Sequence, residues 1–232
     1  MKCYMAMEIG IDWDWTKQSL IRSEGLSRIK ESSAKKSIFE AAGESLGIAK
    51  AKAAVRTIAI KKRILEIKPG IINIEEGIEL SSGKLSSFLK KSDYIHIFAV
   101  TIGKKIEEAA TRYMDEGDIL HGYLLDRIGS FACESLAESV ENDLRKIYFA
   151  KNLSVSTRFS PGYCDWHIEE QVKLDKILDI SKIGIILNKN CMMVPKKSIT
   201  AIVGIGPKGL FKKSRSQCGM CDKKNCSYRK TS

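Results

Sequence analysis

The stretch from 118 to 148 constrains this chain most, because a helix this long must find a layer against which to bury its apolar face. Leu120, Leu124, Ile128 and Phe131 step by four, four and three, which lays one apolar stripe along a helix. Glu134 and Glu138 continue that line where leucines are expected. A carboxylate on a buried stripe is costly unless a cation or a hydrogen-bond donor meets it. Two readings follow. The helix rolls and leaves both glutamates at the surface, in keeping with Val140, Leu144 and Ile147 on another face, or Glu134 is held inward as a ligand contact.

Around that helix the pattern changes from element to element. Residues 33–46 carry Ile38, Ala41, Ala42 and Leu46 at helical spacing, with Gly47 as a stop. Residues 55–67 alternate and are rich in β-branched side chains, Pro69-Gly70 makes a turn, and 71–74 and 77–80 read as short strands. A short helix over 82–91, a buried strand over 94–101 and a helix to about 114 follow. Beyond the long helix come an amphipathic helix over 168–180, an apolar run over 183–187 and a last strand over 199–205. Residues 1–14 are mixed, with one of Trp13 and Trp15 a candidate for burial. Helices and strands do not alternate regularly. This predicts an α+β fold, a mostly antiparallel twisted sheet with flanking helices, as one domain over 1–210 with a basic, cysteine-rich tail over 211–232.

The segment Arg158-Phe159-Ser160-Pro161-Gly162-Tyr163-Cys164-Asp165-Trp166 concentrates chemistry. Proline fixes its own φ and biases Ser160 toward extended backbone, while glycine admits dihedrals that other residues avoid. A bent loop results, with Arg158 and Tyr163 at its ends. An arginine fork matches a carboxylate bidentately, and a tyrosine ring offers a flat wall with a polar tip. The loop therefore suits a ligand with a carboxylate at one end and a planar or cationic part at the other; an ordinary turn with a surface arginine is the plainer reading. Thr101-Ile102-Gly103 can also present amides to an anion, but it lacks a full glycine fingerprint and a threonine-capped turn explains it equally well.

Cys218, Cys221 and Cys226 form C-x2-C-x4-C in a lysine-rich tail. Such spacing brings thiolates onto one centre, zinc or an iron–sulfur cluster. A fourth ligand would come from Cys191, Cys164, Cys133, Cys3 or a histidine, whereas a cluster with one open iron needs none. A redox pair ranks below metal, since no thioredoxin-like context surrounds the motif. Seven cysteines, an odd number, fit a reducing interior. No segment approaches the roughly 20 apolar residues of a membrane span, and no cleavable signal pattern opens the chain, so the expectation is cytoplasmic. The net charge of +11 raises the question of nucleic acid, yet the basic segments lack interleaved aromatics.

With these pieces assembled, the chain resembles the activation domain of cobalamin-dependent methionine synthase in its stand-alone form. The resemblance rests on Arg158-x-x-Pro161-Gly162-Tyr163 with a helix after it, on the long helix before it, and on Met192-Met193-Val194-Pro195-Lys196-Lys197-Ser198 leading into the last strand. It covers 118–210, while the N-terminal hundred residues match in general character only. It implies a domain that binds S-adenosylmethionine and docks over a corrin held by a partner, where one-electron reduction and a methyl group restore methylcobalamin. By the same resemblance Arg158 clamps the methionyl carboxylate, main chain around Ser160, Pro161 and Gly162 meets the adenosyl group, Tyr163 walls the site, and Glu134 faces the ammonium or sulfonium. Phe211 stands where the long form has a ligand-contacting tyrosine, and Asp12 and Asp14 are positional candidates for an acidic N-terminal contact. The cysteine tail is similar to tails of stand-alone relatives and suggests a metal centre that passes the reducing electron. The implied role is accessory, serving a corrinoid protein or a methionine synthase without its own activation domain, with a flavodoxin or ferredoxin as electron donor. An iron–sulfur corrinoid reductive activator is the alternative, and a basic RNA-binding module ranks below both.

Overall fold

The computed structural model describes residues 9–28 and 32–211. In chain order these form α1 (Trp13–Ser23), α2 (Ser33–Lys52), β1 (Arg56–Lys68), β2 (Ile71–Ile74), β3 (Ile78–Ser81), α3 (Gly83–Leu89), β4 (Tyr94–Thr101), α4 (Lys105–Asp115), α5 (Ile119–Phe149), β5 (Leu153–Val155), α6 (Gln171–Leu178), β6 (Ile186–Leu187), β7 (Met193–Val194) and β8 (Ser198–Pro207). Side-chain caps start four of the helices: Asp12, Ser32, Ser82 and Asp118 each accept an amide of the first turn.

Six strands make one sheet in the order β3-β2-β1-β4-β8-β5, with every neighbouring pair antiparallel. Period-two alternation sorts its side chains into two cores. Ala59, Phe98, Val100, Ala201, Val203 and Ile205 face a cluster with α5 at its centre. Ile58, Ile60, Ile95, Ile97, Ala99 and Ile202 face the other, which α3, α6 and the β2–β3 hairpin close. The α+β class and the antiparallel sheet flanked by helices are as the sequence predicts.

The first two helices differ from expectation. Gly47 does not end α2, which continues to Lys52. A helix glycine costs about 1 kcal/mol, and packing of Ala41, Leu46 and Ala49 against the α5 cluster outweighs it. The chain before Trp13 leads into a helix whose two tryptophans are both half-buried, Trp15 lying edge-on to Phe131 at 6.4 Å.

Helices α4 and α5 meet at a glycine. A β-carbon on Gly122 would lie 2.5 Å from Met114 Cγ and 2.8 Å from the Ala110 carbonyl oxygen. The second obstacle is backbone, so the helices would have to part. Gly122→Ala is expected to destabilise the fold by about 1–3 kcal/mol; a thermal midpoint equal to the wild type would contradict this close approach.

Candidate functional site

Past β5 the chain stays on the edge of β8. The Ser156 amide donates to the Gly204 carbonyl at 2.9 Å, and Phe159 and Ile202 exchange two backbone bonds of 2.8 Å. This pairing sends the Phe159 ring, 1% exposed, into the α6-side core. Its neighbour Arg158 reaches α5, where Nη1 donates to Glu141 Oε1 and Nη2 to Glu134 Oε2, each at 2.5 Å. Glu141 is 4% exposed and also accepts from the Arg158 main-chain amide at 3.2 Å and from Arg145 Nη2 at 2.7 Å. Burial alone would lower the Arg158 pKa, but the carboxylates of Glu141 and Glu134 hold it above the ordinary arginine value. The guanidinium is therefore charged at any physiological pH.

The loop after Arg158 is pinned at both ends. Ser160 and Pro161 are buried. Gly162 has φ +90° and donates to the Trp166 carbonyl at 2.7 Å, while the amides of Tyr163 and Trp166 close turns onto Ser160 and Tyr163. The positive φ favours glycine here, and an added β-carbon would also press on Ile168 Cδ1 at 3.3 Å. Asp165 anchors the loop to α3, accepting from Ser82 Oγ at 2.7 Å and from the Lys84 amide at 3.0 Å. Burial would raise its pKa, yet these donors hold it below the usual aspartate value. Trp166, 1% exposed, closes the far end with its indole N–H on Glu170. Between the anchors the Tyr163 ring stands 45% exposed.

Of the residues singled out in the sequence, Arg158 and Glu134 come into direct contact, and Ser160, Pro161, Gly162 and Tyr163 form the adjoining loop. The α5 helix does roll: Glu138 is exposed, while Glu134 turns partly inward. The Phe211 ring lies tilted against Phe88 with centroids 5.5 Å apart and stands where a β-carbon on Gly204 would meet it, within the core that holds Phe159 rather than the side on which Arg158 meets α5. Asp12 donates its amide to Ser135 Oγ at 2.8 Å, one residue from Glu134, and its carboxylate caps α1; Asp14 is exposed. At the Thr101-Ile102-Gly103 turn the Gly103 amide is taken by Thr101 Oγ1 at 3.1 Å, as in an ordinary strand-to-helix turn. Lys197, in the segment before β8, ties that strand to α5 through Asp126 at 2.7 Å and Ser130 at 2.8 Å.

Cys218, Cys221 and Cys226 lie outside the described residues, as does Cys3. Cys133 is buried, and burial, aided by Glu134, pushes its thiol up to about 12. Among the described residues no group of three or more His, Cys, Asp or Glu is arranged to hold a metal ion. Nor is any helix there long and apolar enough to cross a membrane.

Sequence reasoning missed Glu141, and it named Asp165 without its anchoring role. Glu141 lies two helical turns beyond Glu134 and one turn before Arg145, a spacing that places all three on neighbouring faces. That i, i+7 carboxylate pair was the available signal.

Residues 84–215 match the family model described as vitamin B12 dependent methionine synthase, activation domain. No curated protein matches the chain. Among solved structures, the crystal structure of the MetH reactivation domain bound to AdoHcy is similar, with a TM-score of 0.66 at 17% identity, over 94% of this chain and 80% of that one. At that identity the likeness is one of fold.

Proposed function

We propose, from the premise that this chain belongs to the vitamin B12 dependent methionine synthase activation domain family, that it binds S-adenosylmethionine and supports reactivation of the cobalamin of a separate methionine synthase. The observation that carries this reading is the Arg158–Glu134 pair, part-exposed at the rim of a buried ion network and continuous with the loop that displays Tyr163. The MetH reactivation domain that shares the fold is bound to AdoHcy, which adds support.

The residues present fit the ligand's chemistry. Arg158 offers a fork for a carboxylate, and Glu134 offers a carboxylate for an ammonium or sulfonium, so together they read both ends of a zwitterion. Main chain at Ser160, Pro161 and Gly162 would line the adenosyl group, with Tyr163 as its wall. Phe211, packed on Phe88 in the opposite core, would not meet the ligand in this arrangement. S-adenosylmethionine supplies an electrophilic methyl group; this chain's residues bind and orient its donor. The cobalamin would be carried by the partner, a corrinoid protein or methionine synthase without its own activation domain, and a flavodoxin or ferredoxin would supply the electron. That makes the protein an accessory component rather than a self-sufficient enzyme.

Calorimetric titration of S-adenosylmethionine into the purified protein tests the ligand. Saturable binding at one site per chain is expected, and no heat at millimolar ligand would overturn the site. A zinc ion or iron–sulfur cluster on Cys218, Cys221 and Cys226 belongs to the same reading. Cys221→Ser is expected to lower the metal content of anaerobically purified protein to background. Undiminished metal in that variant would show that the tail is not the ligand set.

A further inference from the structure

The two carboxylates that hold Arg158 are not equivalent. Glu141 is 4% exposed, and both its oxygens are engaged: Oε1 by Arg158 Nη1, Oε2 by the Arg158 amide and by Arg145. Parting it from Arg158 would strip a buried charge of its nearest cation. Glu134 meets Nη2 at 2.5 Å from a side chain 27% exposed, and it can turn toward water at far lower cost.

We propose that Glu141 is a positioning residue for ligand binding: it holds Arg158 from the buried side while the Glu134 contact, on the solvent side, opens to admit the ligand's carboxylate. The proposal rests on the reading of Arg158 as the carboxylate clamp. An entering carboxylate then meets a guanidinium whose orientation is already fixed at Nη1 and at its own backbone amide, so little rotamer freedom is lost on binding. Glu134, released from Nη2, turns to the ligand's ammonium. The charges exchange partners, and no new net charge is left buried. Glu141 acts only through Arg158 and touches no ligand.

The test compares S-adenosylmethionine with its decarboxylated form, which keeps the adenosyl, sulfonium and ammonium groups and lacks only the carboxylate. Glu141→Gln keeps the size of the side chain but removes its charge and sets an amide N–H₂ among arginine donors. Calorimetry on folded Glu141→Gln should show the preference for S-adenosylmethionine over the decarboxylated form falling by about tenfold or more, the worth of one charged hydrogen bond. Affinity for the decarboxylated form should stay within about twofold of the wild type. An equal loss for both ligands would mark Glu141 as merely structural, and an unchanged preference would exclude the positioning role; either result overturns the proposal. Glu141→Asp, which keeps the charge, should show the same selective loss in milder form, and it carries the test if the glutamine variant does not fold. A wild type that binds no S-adenosylmethionine would overturn the clamp reading itself, an outcome distinct from both.

Discussion

Arg158→Ala is expected to weaken S-adenosylmethionine binding by about 2–5 kcal/mol, roughly 30- to 5,000-fold. The magnitude follows from burial. The Arg158 side chain is 18% exposed, so a carboxylate paired with it is largely desolvated, and loss of the cation leaves that carboxylate facing Glu134 and Glu141. The same substitution removes the cation closest to the buried Glu141 and should lower stability as well. Arg158→Lys separates the two effects. A lysine keeps a positive charge for Glu141 but has no fork, so the variant should retain most of the stability and still lose most of the affinity. Unchanged affinity in Arg158→Ala would remove the loop from the binding site.

His96 should make stability fall steeply in mild acid. It is fully buried on β4, its Nε2 lies 2.7 Å from the Tyr148 hydroxyl, and its Nδ1 has no hydrogen-bond partner among the described residues. Protonation would create a buried N–H without an acceptor. Burial, and then the positive charges of Lys61 and Lys151, lower its pKa from the ordinary 6.5 to about 4. The unfolded chain thus binds a proton between those two values while the folded one does not. Stability contributed by neutral His96 is complete above pH 6.5 and is lost as pH falls to 4, in all about 3 kcal/mol at 1.36 kcal/mol per unit. His121 works in the opposite sense: burial alone would lower its pKa, but Asp118 and Glu44 raise it, so its contribution is present at low pH and fades as pH rises. Denaturant unfolding of the wild type and His96→Gln at pH 7 and pH 4 isolates the contribution of His96. Wild type should lose about 3 kcal/mol more than the variant on acidification; parallel losses would contradict the account.

What could be read from the sequence was whatever depends on near neighbours. The α5 helix shows because Leu120, Leu124, Ile128 and Phe131 repeat every three or four residues. Strand β4 shows because both of its faces are apolar, and Pro69-Gly70 marks the β1–β2 turn. Arg158 and Tyr163 stand out through their proline–glycine spacing. Long-range effects were hidden. Glu141 reads as half of an i,i+4 surface pair with Arg145, and only the approach of Arg158 from the sheet edge makes it a buried anchor. Strand β5 is three residues long and exists by virtue of pairing with β8, fifty residues away in the chain. Asp165 looks like a turn residue until α3 brings Ser82 and Lys84 to it. Glu134 was legible as an anomaly on its stripe, whereas its pairing with Arg158 was not.

The most direct measurement is a reactivation assay. A methionine synthase lacking its own activation domain, with its cobalamin oxidised and inactive, is mixed with this protein, a reductant and S-adenosylmethionine carrying a labelled methyl group. Label appearing on the cobalamin, with activity returning only when this protein is present and Arg158 is intact, is the predicted result. Activity that returns equally without this protein, or label that never reaches cobalamin at saturating S-adenosylmethionine with any corrinoid partner offered, would contradict the central claim.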